Sequence, residues 1–351
     1  MKASPSRLVP AATLVVFLVW MAFVLASLYA VQKPFTLGTG TALARTLWSA
    51  LAPLVILACA GFLGRRMLSA AGVQTDSRLE KALFGLAIGS GTLAILLFLL
   101  GATGLLGKFP LQMLFAAGLV YLLAELVRHR AALAGLLHLP RPPWWLTLYL
   151  GWMAGLTLLV ALAPPWGWDS LFYHLVVPKR ALESGSWPAA AGIPHFLYPS
   201  LMESLFAWSI AAAGDRSAAP LHALFAGGTA GAVSALTRRL MGGRPGWTGV
   251  AIWASMPMVF VLSSWAYTDM ALAFYLAVAV LAMLQWEANR ESRWLMLAGA
   301  GAGLALGVKY TAVMGAVALG TYLAGRLLAG RSPWKAAMSA LIQFTLPALL
   351  L

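Results

Sequence analysis

The sequence predicts an all-α, polytopic transmembrane bundle. Hydrophobic residues make up 61% of its 351 positions and charged residues only 10%, a composition that leaves too little polar surface for a soluble protein. Apolar runs follow one another with short polar breaks. Because a helix needs roughly 20 apolar residues to cross a bilayer, the runs amount to about eleven spans.

The net charge of +14 would suggest nucleic acid as a partner if the chain were soluble. The Lys and Arg residues instead cluster in short loops between apolar runs, and no aromatic residues interleave with them as a base-stacking surface requires. We therefore exclude nucleic acid and expect membrane lipids around the chain. The single cysteine, Cys59, lies inside an apolar run and predicts no disulfide framework or cysteine-based metal site.

The bias of basic residues towards the cytoplasmic loops orients the spans. The first five are predicted at 8–31, 46–63, 82–106, 109–127 and 145–163, with the N-terminus cytoplasmic. After an outer loop, further spans follow at 217–237, 247–266 and 270–286, then a run that breaks at Lys309 and Tyr310 near the outer face, then 311–328 and 336–351. On this map seven of the 24 basic residues face outside, namely Lys33, Arg45, Lys108, Lys179, Arg180, Arg216 and Lys309.

Two modules follow from this order. Residues 1–144 form a four-span membrane block with few polar residues, and residues 145–351 form a second membrane module. The last apolar run stops while it is still apolar, so we expect the second module to continue beyond Leu351.

The outer loop, 164–216, is extracytoplasmic and long enough to carry interfacial helices. The stretch from Pro199 to Ala213 is predicted to be one of them, because a span there would put three later arginines outside. The structural alternative for Glu203 is that it only faces water from this helix. The loop's large aromatic residues are predicted to be anchors at headgroup depth; they are Trp166, Trp168, Trp187, Tyr198 and Trp208.

Acidic residues carry the functional argument, because a carboxylate near lipid is costly unless it is solvated, paired or functional. In WDSLFYH, Asp169 follows a span closely. If this piece is helical, Tyr173 lies one turn later on the same face and His174 lies beside it. Asp169 is then a candidate general base for a hydroxyl substrate; the alternative is a helix N-cap.

Four pieces in order resemble the membrane glycosyltransferases of the C superfamily (GT-C), in particular the protein mannosyltransferase and aminoarabinose transferase group. They are WDSLFYHLVVPKRALESGSWP, FLYPSLMESLFAWSIAAAGDRSAAPLHALFAG, SSWAYTDMALAFYLAVAVLAML and GAGLALGVKYTAV, and they fall between residues 145 and 330. The resemblance implies a glycosyltransferase of the multi-pass cell membrane. Its active site would be extracytoplasmic, and its lipid-linked donor would be a polyprenyl-phosphate sugar.

The resemblance also implies roles for individual residues. Asp169 takes the first-loop acidic position, associated with a base or a metal ligand, and Asp269 the second outer acidic position. Lys309 lies near the donor phosphate, and we assign Tyr310 to the same subsite. A leaving phosphate needs cations, which Lys179 and Arg180 could also supply; the alternative for these two is binding of anionic headgroups.

Several alternatives stay open at this level. A divalent metal, if one is used, would be held by Asp169 and Asp269. A transporter or lipid flippase is the rival function, although a carrier places ionisable residues at mid-membrane rather than at one interface. A non-catalytic membrane assembly subunit is the third.

Overall fold

A computed structural model describes residues 8–32, 37–75, 77–128, 142–188, 195, 198–242, 246–331 and 333–351. Within these ranges every regular element is a helix, apart from one isolated bridge between Leu106 and Gly185. The predicted all-α class is confirmed. The chain forms two compact units, Met1–Leu47 and Trp48–Leu351, and the helix packing and the site described below belong to the second.

The α-helices, in chain order, are α1 (Leu8–Gln32), α2 (Leu37–Ala70), α3 (Arg78–Ala102), α4 (Lys108–Arg128), α5 (Trp144–Ala161), α6 (Val176–Ser184), α7 (Leu201–Ala213), α8 (Ala218–Leu240), α9 (Trp247–Ala254), α10 (Pro257–Ser263), α11 (Asp269–Asn289), α12 (Ser292–Val308), α13 (Val313–Ala329) and α14 (Trp334–Leu350). A π-helical turn covers Ser170–His174, and 3₁₀ turns cover Asp215–Ser217 and Tyr310–Ala312.

Seven helices in the described ranges are long and apolar enough to cross a membrane. This finding supports a polytopic bundle, and most predicted spans coincide with a helix to within several residues; the count of eleven stays a prediction. The predicted span 247–266 is instead two short helices, α9 and α10, separated at Ser255 and Met256. Pro257 explains the break, because proline starts a helix readily but cannot donate a hydrogen bond within one. The division at residue 144 also stays a prediction.

The glycine-rich helix α12 packs between α11 and α14. A Cβ added at Gly299 would lie 2.0 Å from the carbonyl oxygen of Phe344 in α14, so no side chain fits between the two backbones. Small residues at such contacts let transmembrane helices approach closely and gain van der Waals contact. The glycine-rich run therefore brings α12, and with it Lys309, into a fixed position in the bundle.

A buried polar network ties the helices together at one end of the bundle. The Glu80 carboxylate accepts two hydrogen bonds from Arg239, from Nε to Oε1 and from Nη2 to Oε2, each 2.7 Å long. Gln285 Nε2 adds a third, 2.6 Å from Oε2. Asp269, at the first turn of α11, lies at the opposite end of the helix that carries Gln285, so this network and the candidate site occupy opposite ends.

Helix α7 differs from its predicted environment. It packs against α3, α4 and α6, and its residues from Leu201 to Ala211 are all buried. The alternative that Glu203 only faces water is wrong, since only 4% of it is exposed. Trp208 is no headgroup anchor either: it is buried, and its Nε1 donates a hydrogen bond to the carbonyl oxygen of Leu111. Among the other predicted anchors, Trp166 and Trp168 are exposed.

Candidate functional site

The site begins with the turn that follows α5. Trp168 and Asp169 enter a helical turn, and Ser170–His174 continue it with π-helical hydrogen bonding. The segment before α11 holds this turn: Ser170 Oγ donates to the carbonyl oxygen of Ala266 over 3.2 Å, and the Asp169 N–H points to the Tyr267 hydroxyl oxygen, 3.4 Å away. Parts of the chain nearly 100 residues apart are thus joined.

Asp169 and Tyr173 converge as their spacing predicts. The Asp169 carboxylate acts electrostatically on the phenol of Tyr173, and it makes no capping hydrogen bond to the turn it begins. The N-cap alternative is therefore wrong for this side chain. Burial, together with the negative charge of Asp169, raises the pKa of Tyr173 above its ordinary value, so the phenol stays protonated.

Asp269 and Lys309 form an ion pair at the ends of two packed helices. Asp269 is the first residue of α11, and Lys309 follows α12 with an extended backbone, φ −157° and ψ 131°. The distance from Lys309 Nζ to Asp269 Oδ1 is 2.9 Å. About a quarter of the Asp269 side chain and three tenths of the Lys309 side chain remain exposed, so a ligand can still reach the pair.

His222 fixes the start of α11. The ring is fully buried; Nδ1 lies 2.9 Å from the carbonyl oxygen of Trp265, and Nε2 accepts a 2.9 Å hydrogen bond from the Met270 N–H. Because a carbonyl can only accept, Nδ1 carries the proton and the ring is the neutral tautomer. His222 is therefore a positioning residue, because it holds the backbone at the start of α11, where Asp269 lies.

His174 and Glu203 form a buried pair. Nδ1 of His174 lies 2.6 Å from Oε1 of Glu203, and both side chains are more than nine-tenths buried. Our sequence analysis missed Glu203. The signal was present, because an acidic residue in the apolar run LMESLFAWSIAAA must be paired or functional if the helix is buried.

These side chains surround one small cavity. Four of the predicted site residues line it, namely Tyr173, His174, Lys309 and Tyr310, together with Tyr198, Pro199, Glu203, Thr268 and Val308. Asp269 joins this set through its ion pair with Lys309, and Asp169 acts electrostatically on Tyr173. Burial raises the pKa of Tyr267, the negative charges of Asp169 and Asp269 raise it further, and the positive charge of Lys309 lowers it.

Two predicted phosphate ligands lie elsewhere. Lys179, on α6, forms an ion pair with Asp215, and both side chains are about two-fifths exposed. Neither Lys179 nor Arg180 lines the cavity that holds Lys309. Their place in the outer segment fits the alternative of binding anionic headgroups, which stays a prediction.

The same side chains do not suit a metal ion. Within the described ranges, no group of three or more His, Cys, Asp and Glu residues could hold one. Asp269 is bound to the Lys309 ammonium, whose charge would repel a cation. The residues that are present fit a ligand with phosphate and hydroxyl groups better than a divalent ion.

A comparison with known protein families finds a match to one segment of the chain, which contains several of the site residues. Residues 201–349 match the family model described as dolichyl-phosphate-mannose-protein mannosyltransferase. The matched segment includes Glu203, Asp269 and Lys309 and begins after Asp169 and His174. No curated protein and no solved structure matches the chain. The match confirms the resemblance predicted from the sequence, and it supports a membrane glycosyltransferase of the GT-C type.

Proposed function

We propose that the protein moves a hexose or pentose from a polyprenyl-phosphate donor to a hydroxyl of an acceptor. One observation carries the proposal: the Asp269–Lys309 pair, within the segment that matches the mannosyltransferase family, stands beside a small cavity that Lys309 lines. Breaking the bond between sugar and phosphate builds negative charge on the phosphate, which an ammonium stabilises.

The donor phosphate is proposed to bind Lys309, with Tyr310 beside it. Asp269 then shares the ammonium with the phosphate and holds Lys309 in place while the site is empty. As the bond to phosphate breaks, positive charge develops at the anomeric carbon. The Asp169 carboxylate is the group we assign to stabilise it. Direct displacement by the acceptor oxygen would invert the configuration at that carbon.

An apolar cavity suits the isoprenoid part of such a donor. It has a volume of about 510 Å³ and is lined by side chains of α2, α5, α8, α9 and α10. Its wall includes Pro220, two residues before His222, and Ser263, two residues before Trp265, so one end lies beside the carbonyl that binds His222. A polyprenyl chain in this cavity would keep its phosphate near the cavity lined by Lys309.

The charge distribution supports an extracytoplasmic active face in the cell membrane. Arg239 is at the end of the bundle opposite Asp269, in the group of basic residues that the charge rule places in the cytoplasm. The candidate site is then at the outer interface, where an acceptor arrives from water and the donor from the bilayer.

The proposal is tested with purified protein in lipid nanodiscs and radiolabelled polyprenyl-phosphate hexoses and pentoses. We expect the wild type to bind one such donor and transfer its sugar to a hydroxyl acceptor. Asp169→Asn should lower the transfer rate by about 100-fold, because a charge aimed at the transition state is lost. Glu291→Gln, an exposed carboxylate at the other end of α11, is the matched control and should keep wild-type rates.

Two results would contradict the proposal. In the first, the wild-type protein binds none of these donors; in the second, the Asp169→Asn protein transfers sugar at the wild-type rate. Movement of the intact donor across the bilayer without sugar transfer would indicate the flippase alternative.

A further inference from the structure

We infer that His174, oriented by Glu203, is the group that removes the proton from the acceptor hydroxyl. The inference rests on the proposed sugar transfer and replaces Asp169 as the proton acceptor. It assigns a role to Glu203, a buried carboxylate that the reaction described above does not use.

The pair fixes which nitrogen of His174 is basic. An ionised carboxylate can only accept a hydrogen bond, so Nδ1 of His174 donates to Oε1 of Glu203 over 2.6 Å. The lone pair is then on Nε2. No described residue forms a hydrogen bond with Nε2, and the ring lines the cavity. A carboxylate that holds the imidazole tautomer and stabilises the imidazolium is the arrangement that makes histidine an effective base.

Asp169 is less suited to this step. Its carboxylate does not line the small cavity, whereas His174 does. The Tyr173 ring also lines the cavity and is 4.1 Å from the ring of His174, centroid to centroid. An acceptor hydroxyl in the cavity therefore contacts His174 rather than Asp169.

Two buried polar atoms in the wall of the cavity have no hydrogen-bond partner among the described residues, which points to a ligand with a hydroxyl group. Oε2 of Glu203 and Oγ1 of Thr268 are both buried, and neither has a partner in the described part of the chain. Leaving a buried polar atom unpaired costs about 1–3 kcal/mol. Both residues line the same cavity, whose volume of about 10 Å³ is that of one hydroxyl group or water, so an acceptor hydroxyl inserted there would satisfy them.

The proposed step balances without any further reagent. The acceptor oxygen forms a bond to the anomeric carbon while the bond from that carbon to the phosphate oxygen breaks. The hydroxyl proton moves to Nε2 of His174, and the bonding pair leaves with the polyprenyl phosphate, whose charge Lys309 stabilises. His174 then loses its proton to water, and Glu203 remains ionised throughout.

Chemical rescue tests the assignment. In the nanodisc assay, His174→Gln should lower kcat by about 100-fold, the lower range of a general-base contribution, with the donor KM changed less than about threefold, because the amide still bonds to Glu203 but cannot take a proton. Imidazole added to the His174→Ala protein should restore at least about tenfold of the lost rate. The same imidazole should not raise the rate of Asp169→Asn or of the wild type.

The Glu203→Gln variant tests whether Glu203 positions His174 for catalysis or only stabilises the fold. It keeps the volume and one hydrogen bond to Nδ1, and we expect kcat to fall by about tenfold or more while the donor KM stays near wild type. Thermal unfolding of each variant shows that it is folded before its rate is interpreted.

The inference is overturned if folded His174→Gln transfers sugar within about threefold of the wild type, or if imidazole rescues Asp169→Asn in place of His174→Ala. A wild-type protein without transfer activity overturns the proposed function, and this inference with it. An active wild type with an unaffected His174→Gln variant overturns this inference alone.

Discussion

The ion pair between Asp269 and Lys309 joins the first residue of α11 to the residue that ends α12, 40 positions later in the chain. The two helices pack tightly along their length, so this pair closes an αα-hairpin at its open end, where Lys309 lines a small cavity. In the proposed function, this position lets a largely apolar bundle offer a cation to the donor phosphate.

Removal of the Lys309 charge should weaken binding of a lipid-phosphate donor. A charge-assisted hydrogen bond to phosphate contributes about 1.5–3 kcal/mol, so Lys309→Met should raise the donor Kd by about 10- to 100-fold, and Lys309→Arg should recover most of the loss. Lys335→Met removes an exposed charge at the start of α14 and is the matched control. Binding of a polyprenyl monophosphate without its sugar measures the effect directly, and equal affinity for Lys309→Met and Lys335→Met would contradict the role.

The sequence was sufficient to predict most of the helices, and four of the residues that it singled out line one cavity. Span length and apolar composition predicted most helix positions, because the thickness of the bilayer core determines how long an apolar helix must be to cross it. The sequence also singled out Asp269, Lys309 and Asp169, because a charge beside an apolar run is costly unless it is solvated, paired or functional. Glu203 was misread for a different reason: its environment is created by α3, α4 and α6, which lie far away in sequence and pack around α7.

The break at Pro257 and the position of Lys179 were also beyond prediction by composition. Hydropathy does not distinguish one span from two short helices joined at a proline, and a basic residue in an outer loop carries no information about which acidic residue it will meet. Lys179 meets Asp215 rather than the cavity. Tertiary contacts decide such cases.

Tyr173 should make the stability of the protein depend on alkaline pH. The folded state raises the pKa of this phenol, chiefly by burial, whereas the unfolded chain loses the proton near the ordinary value of 10. Its contribution to stability is therefore complete below that pH and is lost as pH rises beyond it. Melting curves from about pH 8 to about pH 11 should show a steeper loss of Tm in the wild type than in Tyr173→Phe. Parallel curves for the two proteins would contradict the burial of the phenol.

His222 should matter for both stability and activity. His222→Ala leaves the Met270 N–H and the Trp265 carbonyl without their buried partner, at a cost of about 2–4 kcal/mol, and it frees the turn that positions Asp269. His222→Gln can donate and accept and should recover part of both losses. The measurements are thermal unfolding and the donor Kd of folded protein. If His222→Ala binds donor as well as the wild type does, the histidine has no positioning role.

The contact between α12 and α14 should tolerate no side chain at Gly299. Gly299→Ala places a methyl group where the Phe344 carbonyl oxygen lies 2.0 Å away, and because the obstacle is backbone, the helices must separate; overpacking of this kind costs about 1–3 kcal/mol. Gly155→Ala in α5 is the matched control, since its added Cβ meets no atom within 4 Å and alanine favours helix by up to about 1 kcal/mol. Thermal unfolding in detergent should therefore show a lower Tm for Gly299→Ala and an equal or higher Tm for Gly155→Ala. Since Lys309 follows the same helix, Gly299→Ala should also weaken donor binding. An unchanged Tm and Kd would mean that α14 can move away without disturbing the site.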